Sequence, residues 1–106
     1  MSLKSAFKTI INLQGRDMVF TRRATGGDTV ETISAAPSNY FRYLNLPEEI
    51  SLETIEIVVA KDDMGALVKP KRGDRVEDSE YGKLTVDAVI EMAVMGEVIG
   101  YRVRFR

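Results

Sequence analysis

The alternation of apolar and polar side chains over residues 83–106 limits the possible folds more than any other feature of this sequence. Apolar residues occupy every second position before the Met95-Gly96 pair and again after it: Leu84, Val86, Ala88, Ile90 and Met92, then Ile99, Tyr101, Val103 and Phe105. Residues two apart lie on the same face of a β-strand. We therefore expect a long antiparallel hairpin from Lys83 to Arg106, with one face buried and the other in water.

The opening segment, Ser2 to Leu13, has the spacing of a helix instead. Its apolar residues fall on one helical face: Leu3, Ala6, Phe7, Ile10 and Ile11. Ser2 is placed to cap the start of this helix, and Gly15 to end it. Lys4 and Lys8 are expected on the opposite face, in water. A helix this short is marginal alone, so we expect it to pack on the rest of the domain.

Between these two segments the pattern favours strands separated by turns. Met18 and Phe20 alternate with Val19 and Thr21, and the glycines of the following turn tolerate positive φ. We expect a strand from Asp17, a Gly-rich tip at 24–29, a second strand at 29–34 and an irregular connection at 35–39. A short strand at 40–44 is followed by an ambiguous segment at 45–49, where Pro47 can open a helical turn. A strand at 54–60 and a polar stretch at 61–80 come next. That stretch includes a loop from Val68 that leads into a short strand at Val76.

These elements predict a mainly β fold, a small antiparallel β-barrel or sandwich carrying a short N-terminal α-helix. The chain has 106 residues, the size of one typical domain. We expect residues 1–106 to form a single barrel-like domain, with the helix at 2–13 and the β body at 17–106.

The chain contains no cysteine and no histidine, which restricts its chemistry. Disulfides are excluded, and zinc and copper lose their usual ligands. Ser-His and Cys-His nucleophile systems are excluded as well. We therefore expect a binding or assembly protein rather than an enzyme, without cofactor or metal. No apolar run approaches the roughly 20 residues of a membrane span, and no signal peptide is evident, so no membrane role is expected.

Charged residues are clustered although the net charge is only −1. One cluster is acidic: Glu48, Glu49, Glu53, Glu56, Asp62 and Asp63. It lacks the spacing of a calcium-binding loop and is interpreted as a solvated edge, or alternatively as a docking site for a basic partner. The second cluster is basic: Lys69, Lys71, Arg72 and Arg75. It is interpreted as a solvated loop, with contact to an acidic protein or to a DNA backbone as the alternative.

Three further patterns have both a structural and a functional interpretation. The row Arg102, Arg104 and Arg106 is expected to face water and to pair with acids such as Asp87 and Glu91, or else to form a partner interface. Arg72-Gly73-Asp74 spells an integrin-binding tripeptide but fits a turn into the next strand. The glycines at 26 and 27 do not match a phosphate-binding loop and indicate a hairpin tip, a kind of site that often carries contacts.

Segment order and short motifs give the chain a resemblance to a known family. A Thr-Arg-Arg strand leads into a Gly-rich tip, and a Pro-x-x-Gly-Asp-x-Val turn follows at Pro70 to Val76. Tyr81, the strand Thr85 to Val89 and a closing Tyr-x-Val-x-Phe come next. This resembles the head-completion and head–tail joining proteins of tailed bacteriophages, also called stopper or tail-attachment proteins. A glycine-bearing turn is expected just before the tyrosine, whereas this chain has Asp78-Ser79-Glu80 there and Gly82 after it.

The resemblance implies a β-barrel subunit of a homo-oligomeric ring beneath the portal of a phage head. Its partners would be portal or adaptor proteins and tail proteins, with at most non-specific contact to packaged DNA. It implies no catalytic residues, and a location in the bacterial cytoplasm before assembly and in the virion neck afterwards. The alternatives are another small phage tail or baseplate barrel, a host adaptor domain of similar shape, and a nucleic-acid-binding β-barrel.

Two loops are the predicted protein interface. Their residues are Thr25, Gly26, Gly27 and Asp28 in the first loop, and Met64, Lys69, Lys71 and Arg72 in the second. Ring subunits meet through two different faces, so we expect the acidic stretch of one copy to contact the basic stretch of its neighbour.

Overall fold

A computed structural model describes residues 3–37 and 55–106. One α-helix and six β-strands account for most of this part of the chain. Their bounds are α1 Leu3–Gln14, β1 Arg16–Arg22, β2 Thr29–Pro37, β3 Glu56–Ala60, β4 Arg75–Asp78, β5 Gly82–Val94 and β6 Glu97–Phe105. Two 3-10 turns, Lys61–Asp63 and Gly65–Leu67, lie between β3 and β4.

The six strands form a closed antiparallel barrel, which confirms the mainly β fold with one short N-terminal helix. The strand order around the barrel is β1-β2-β3-β6-β5-β4, and β4 pairs with β1 to close it. β6 lies between β3 and β5, so the last strand in sequence is inserted between two earlier ones. Closure pairs the strand edges that an open sheet would leave free.

The barrel interior is filled by the inward-facing residues of all six strands. Met18 and Phe20 of β1 are fully buried, as their spacing predicted. Tyr101, Val103 and Phe105 of β6 are buried as well, which confirms the predicted inner face of that strand. The 3-10 segment closes part of this interior, because Met64 and Leu67 belong to the same buried cluster.

The terminal hairpin is present, but its predicted inner face is wrong beyond Val86. A β-bulge at Asp87 shifts the pairing between Val86 and Ala88, and a second irregularity follows Met92. A bulge adds one residue to a strand and thereby reverses the faces of the residues after it. Val89 therefore packs against the barrel core, whereas Ile90 is exposed.

Two other predictions concern the segments beside β3. The predicted irregular connection at 35–39 is wrong in its first half, because β2 continues to Pro37 and pairs there with Ile57. Pro37 is the last residue of this strand. The predicted strand at 54–60 is confirmed for Glu56–Ala60, all five residues of which are buried. The predictions at 40–44 and 45–49 lie outside the described residues.

The helix packs against the outer face of the barrel, over β2, β3 and β6. Ile11 is buried against Ala36 and Val58, and Phe7 packs against the same cluster. Gly15 ends the helix as expected, since its N–H donates to the Ile11 carbonyl at 2.7 Å. A side chain at Gly15 would lie only 2.5 Å from the Ala35 carbonyl oxygen, so the tight crossing onto the barrel requires glycine.

The helix is rotated away from the predicted orientation. Leu3 and Ile10 of the predicted buried face are 53% and 44% exposed. Lys4 and Lys8, expected in water on the far side, instead form salt bridges with Asp62 at 3.5 Å and Asp63 at 3.4 Å. Phe7 and Ile11, rather than the whole apolar stripe, face the barrel, and the two lysines lie beside this contact. Ser2, the predicted cap, lies outside the described residues.

Candidate interaction surface

Arg22, at the end of β1, holds together the loop that precedes β4. Its guanidinium binds both carboxylate oxygens of Asp74, from Nε at 2.9 Å and from Nη2 at 2.8 Å. It also donates to the backbone carbonyls of Leu67 at 3.0 Å and Lys69 at 2.6 Å. The hydrogen bond to Asp74 raises the pKa of Arg22 above its ordinary value. One side chain thus fixes two points of the loop and the aspartate that begins the turn into β4.

Val68 lies between the two carbonyls that Arg22 binds, in a strained backbone conformation. Its φ of 66° and ψ of −53° are those of a classic γ-turn, and the Lys69 N–H donates to the Leu67 carbonyl at 2.7 Å. A β-branched residue avoids this region, which is occupied only where the surroundings enforce it. The side chain of Val68 is nevertheless 67% exposed. The Arg22 contacts therefore hold an apolar side chain at the surface.

The residues after Val68 form an exposed cationic surface, and we name residues 68–72 the basic loop. Lys69, Lys71 and Arg72 are exposed, whereas Pro70 between them is buried and anchors the loop. The Lys71 N–H also donates to Asp74 at 2.9 Å. Arg72 lies 3.7 Å from Asp87 of the β5 bulge, and neither lysine forms a salt bridge within the described part of the chain. Positive charge is thus held in a defined geometry without full neutralisation.

A cleft of about 370 Å³ separates the basic loop from β5. The basic loop forms one wall, and Asp87, Glu91 and Tyr101 contribute to the other. Burial, followed by the negative charge of Glu91, raises the pKa of Tyr101. The cleft therefore has cationic and anionic walls, an arrangement suited to a polar protein segment rather than to an apolar small molecule.

The predicted interface residues fall into three groups. Lys69, Lys71 and Arg72 lie together on the exposed basic loop. Residues 25–28 form a separate exposed tip, in which the Gly27 N–H donates to the Ala24 carbonyl at 3.1 Å. Met64 is fully buried in the barrel core, so its side chain contributes no surface. Arg22 and Val68 were not singled out from the sequence, because Arg22 and Asp74 are 52 residues apart and only the fold brings them together.

The Arg72-Gly73-Asp74 tripeptide is part of a turn, as its structural interpretation predicted. Gly73 has a φ of 94°, a conformation that favours glycine. Asp74 is only 3% exposed and is bound by Arg22. Its carboxylate therefore cannot be presented to a receptor.

Of the predicted solvated acidic edge, Asp62 is exposed as expected, whereas Glu56 is buried and Asp63 is half-buried. Glu56 is 4% exposed, and Asp62 and Asp63 are engaged by the lysines of the helix. Glu48, Glu49 and Glu53 lie outside the described residues. The predicted pairing of the arginine row with Asp87 and Glu91 is wrong. Arg102 and Arg104 instead bind the two carboxylate oxygens of Glu56, at 2.7 Å and 3.2 Å, because β6 pairs directly with β3.

A second buried aspartate is bound where the barrel closes. Arg16 forms two hydrogen bonds of 2.7 Å with Asp78 at the end of β4, and it lies over the ring of Tyr81. The same aspartate accepts the backbone N–H groups of Glu80 and Tyr81. These contacts, led by the Arg16 hydrogen bond, lower the pKa of Asp78 to about 2. Their role is structural, since they fix the turn between β4 and β5.

The described residues contain no cluster of three or more aspartate, glutamate, histidine or cysteine side chains able to hold a metal. Over residues 3–37 and 55–106, no helix is both long and apolar enough to cross a bilayer.

The candidate site is the basic loop with its cleft, presented by a closed antiparallel barrel. Comparison of the chain with protein-family models, with curated proteins and with solved structures gives no match.

Proposed function

We propose that the protein is a structural component of a phage or prophage head–tail connector. It assembles as a ring under the portal and offers a surface to which the tail docks. The observation that carries the proposal is the basic loop, an exposed and pre-ordered cationic surface on a small barrel whose interior is filled with side chains. The resemblance in segment order supplies the biological setting. The partners are portal or adaptor proteins, tail proteins and other copies of the chain.

Pre-ordering of the basic loop favours a protein partner. Binding costs less when the contact residues are already held in place, and Arg22 holds this loop in the free chain. Basic residues that act on an acidic partner mainly steer the encounter and select the partner. A protein built into a particle at a single stage of assembly needs that selectivity.

The structure gives less support to a nucleic-acid-binding barrel. Such proteins stack bases on exposed aromatic side chains along a basic groove. In the described ranges every aromatic residue is buried or half-buried: Phe7, Phe20, Tyr81, Tyr101 and Phe105. Contact between the basic loop and packaged DNA would therefore be non-specific and salt-dependent.

Deletion of the gene in the phage or prophage that carries it tests the proposal. We expect DNA-filled heads and free tails that do not join, visible by electron microscopy, with joining restored by the gene supplied in trans. Normal infectious particles from the deletion would overturn the proposal. Portal, capsid and tail genes next to this gene would support it, and metabolic neighbours would count against it.

Charge reversal of the basic loop tests which surface is used. We expect the triple variant K69E/K71E/R72E to fold normally and to fail in joining heads to tails. The control is Lys83→Glu, a charge reversal at a side chain that is 86% exposed and forms only a 3.9 Å contact with Glu77. Joined particles from the triple variant would remove the basic loop from the interface.

A further inference from the structure

Two non-glycine residues of the described chain have a left-handed backbone, and both are large and apolar. They are Val68, with a φ of 66°, and Met95, with a φ of 53°. Their side chains are 67% and 94% exposed. Each position therefore has two unfavourable features, a strained backbone and an apolar side chain in water. Strain of this kind is often located where a protein makes a functional contact.

The geometry of the second position does not call for methionine. Met95 and Gly96 form the two-residue turn between β5 and β6, and Gly96 also has a positive φ of 82°. Positive φ at both central residues is typical of a type I′ turn, which prefers asparagine, aspartate or glycine at the first of them. Asparagine would satisfy the turn and the solvent together. The exposed methionine is thus unexplained by the hairpin itself.

The two apolar side chains lie in regions of opposite charge. Val68 is flanked by the exposed cations of the basic loop, Lys69, Lys71 and Arg72. We name residues 91–97 the hairpin tip, and it contains Glu91 and Glu97, both exposed, and no lysine or arginine. An apolar contact surrounded by complementary charges is the usual arrangement at a specific interface.

Within one chain, only the near end of the hairpin tip faces the basic loop. Glu91 already lines the cleft opposite the basic loop, and Met95 lies four residues further along the hairpin. At about 3.3 Å per strand residue, this places Met95 on the order of 13 Å beyond the cleft wall. A second copy of the chain can supply the far end of the hairpin tip, with Met95 and Glu97, which the first copy does not bring to its own basic loop.

We propose that the basic loop of one copy, centred on Val68, docks on the hairpin tip of a second copy, centred on Met95. This assigns the contact between copies in the ring and rests on the proposed function for its place in the particle. Val68 and Met95 supply the desolvated centre of the contact, and Lys69 and Lys71 face Glu97 beside it. Both apolar side chains become buried on assembly, which accounts for their exposure in the single chain.

Cysteine cross-linking tests the contact directly, because the chain has no cysteine of its own. Val68→Cys and Met95→Cys are purified separately, mixed at high concentration and oxidised gently. We expect the mixed disulfide dimer to exceed both like-with-like dimers well beyond the statistical proportion. Ser79→Cys, in an exposed turn distant in sequence from both positions, serves as the control partner for each. A statistical mixture, or equal cross-linking to the control, would overturn the proposal.

A charge swap tests the specificity of the contact. K69E/K71E in the Val68→Cys chain should reduce the mixed disulfide about tenfold, a loss comparable to that of a close charge pair. Glu97→Lys in the Met95→Cys chain should restore it when the two reversed chains are mixed. Failure of the second reversal to restore cross-linking would show that these charges do not face each other.

Asparagine variants give an independent test, because stability and self-association are measured separately. Met95→Asn places a residue that favours this turn conformation, so the melting temperature of the isolated chain should rise. The same variant, and Val68→Asn, should weaken self-association in sedimentation equilibrium. Unchanged association would contradict the proposal. Because these measurements use purified protein, they can fail while the head–tail joining defect stands, and they can succeed while the deletion leaves particles normal.

Discussion

At the scale of single residues, the fold depends on buried carboxylates that arginines neutralise. Asp74, Asp78 and Glu56 are each at most 6% exposed, and each is bound by arginine side chains from another strand. An unpaired buried carboxylate is costly, and the planar guanidinium satisfies two oxygens at once. The arginines are therefore not interchangeable with lysine at these positions.

Replacement of Arg22 should destabilise the protein and release the basic loop together. Arg22→Ala leaves Asp74 buried without its cationic partner, which we expect to lower the free energy of unfolding by about 2–3 kcal/mol in urea denaturation. Arg22→Lys should recover part of this loss, because one ammonium cannot reproduce the fork. The neighbouring Arg23→Ala is the control, since Arg23 is exposed and its removal should change stability by less than about 0.5 kcal/mol. Equal losses for both variants would argue against the clamp.

Ionisation of Asp78 should make the free energy of unfolding depend on pH in the acidic range. The Arg16 hydrogen bond lowers its pKa to about 2 from an ordinary 3.8, so the folded state favours the charged form. The contribution is complete above pH 3.8 and is lost as the pH falls towards 2, and it amounts to roughly 2 kcal/mol. The stability difference between the native chain and Asp78→Asn should therefore shrink over this range. Parallel curves in acid denaturation would contradict the assignment.

At the scale of elements, packing of the helix on the barrel depends on Gly100 in β6, which has no side chain. The ring of Phe7 lies directly against Gly100, where any side chain would collide with it and with the Val59 carbonyl oxygen at 2.5 Å. Glycine weakens a strand in general, but here the missing side chain leaves room for the helix to pack. Lys4 and Lys8 form salt bridges with Asp62 and Asp63 beside this contact.

A methyl group at position 100 should displace the helix from the barrel. We expect Gly100→Ala to cost about 1–3 kcal/mol, as overpacking in a filled interior does. Gly26→Ala is the matched control, because a side chain there meets nothing within 4 Å and the φ is not left-handed. Thermal unfolding followed by circular dichroism compares the two. A Gly100 variant as stable as the control would show that the helix is not tightly seated.

The elements also show what the sequence could and could not indicate. Alternation at Met18 and Phe20 and along β6 identified the barrel strands, because half-buried strands leave a period-two pattern. The bulge at Asp87 leaves no such mark, so the faces of β5 after it were assigned wrongly. The position of the basic loop was predicted from its composition. Its order was not, because that depends on Arg22, a residue distant in sequence.

At the scale of the whole molecule, closure of the barrel relies on pairings distant in sequence. β1 pairs with β4, and β3 pairs with β6, across spans of several tens of residues. Each such pairing must offset the entropy of closing a long loop before other contacts stabilise it. The barrel therefore gains its stability from the complete set of strands.

Refolding from urea should accordingly be slow for a chain of this size. Barrels dominated by non-local pairing fold in milliseconds to seconds, whereas helical bundles of similar length fold faster. We expect a single exponential in stopped-flow fluorescence of the tyrosines, with the same rate by far-ultraviolet circular dichroism. Microsecond refolding, or rates that differ between the probes, would show that part of the barrel forms independently.

The position of β6 between β3 and β5 bears on how the protein is made in the cell. A ribosome delivers this strand after the other five, and until it leaves the exit tunnel each of its two neighbours lacks one of its two strand partners. The helix cannot pack fully before then, because it packs against Gly100 of β6. Until β6 is available for pairing the barrel cannot close, so the nascent chain exposes apolar surface that the closed barrel buries.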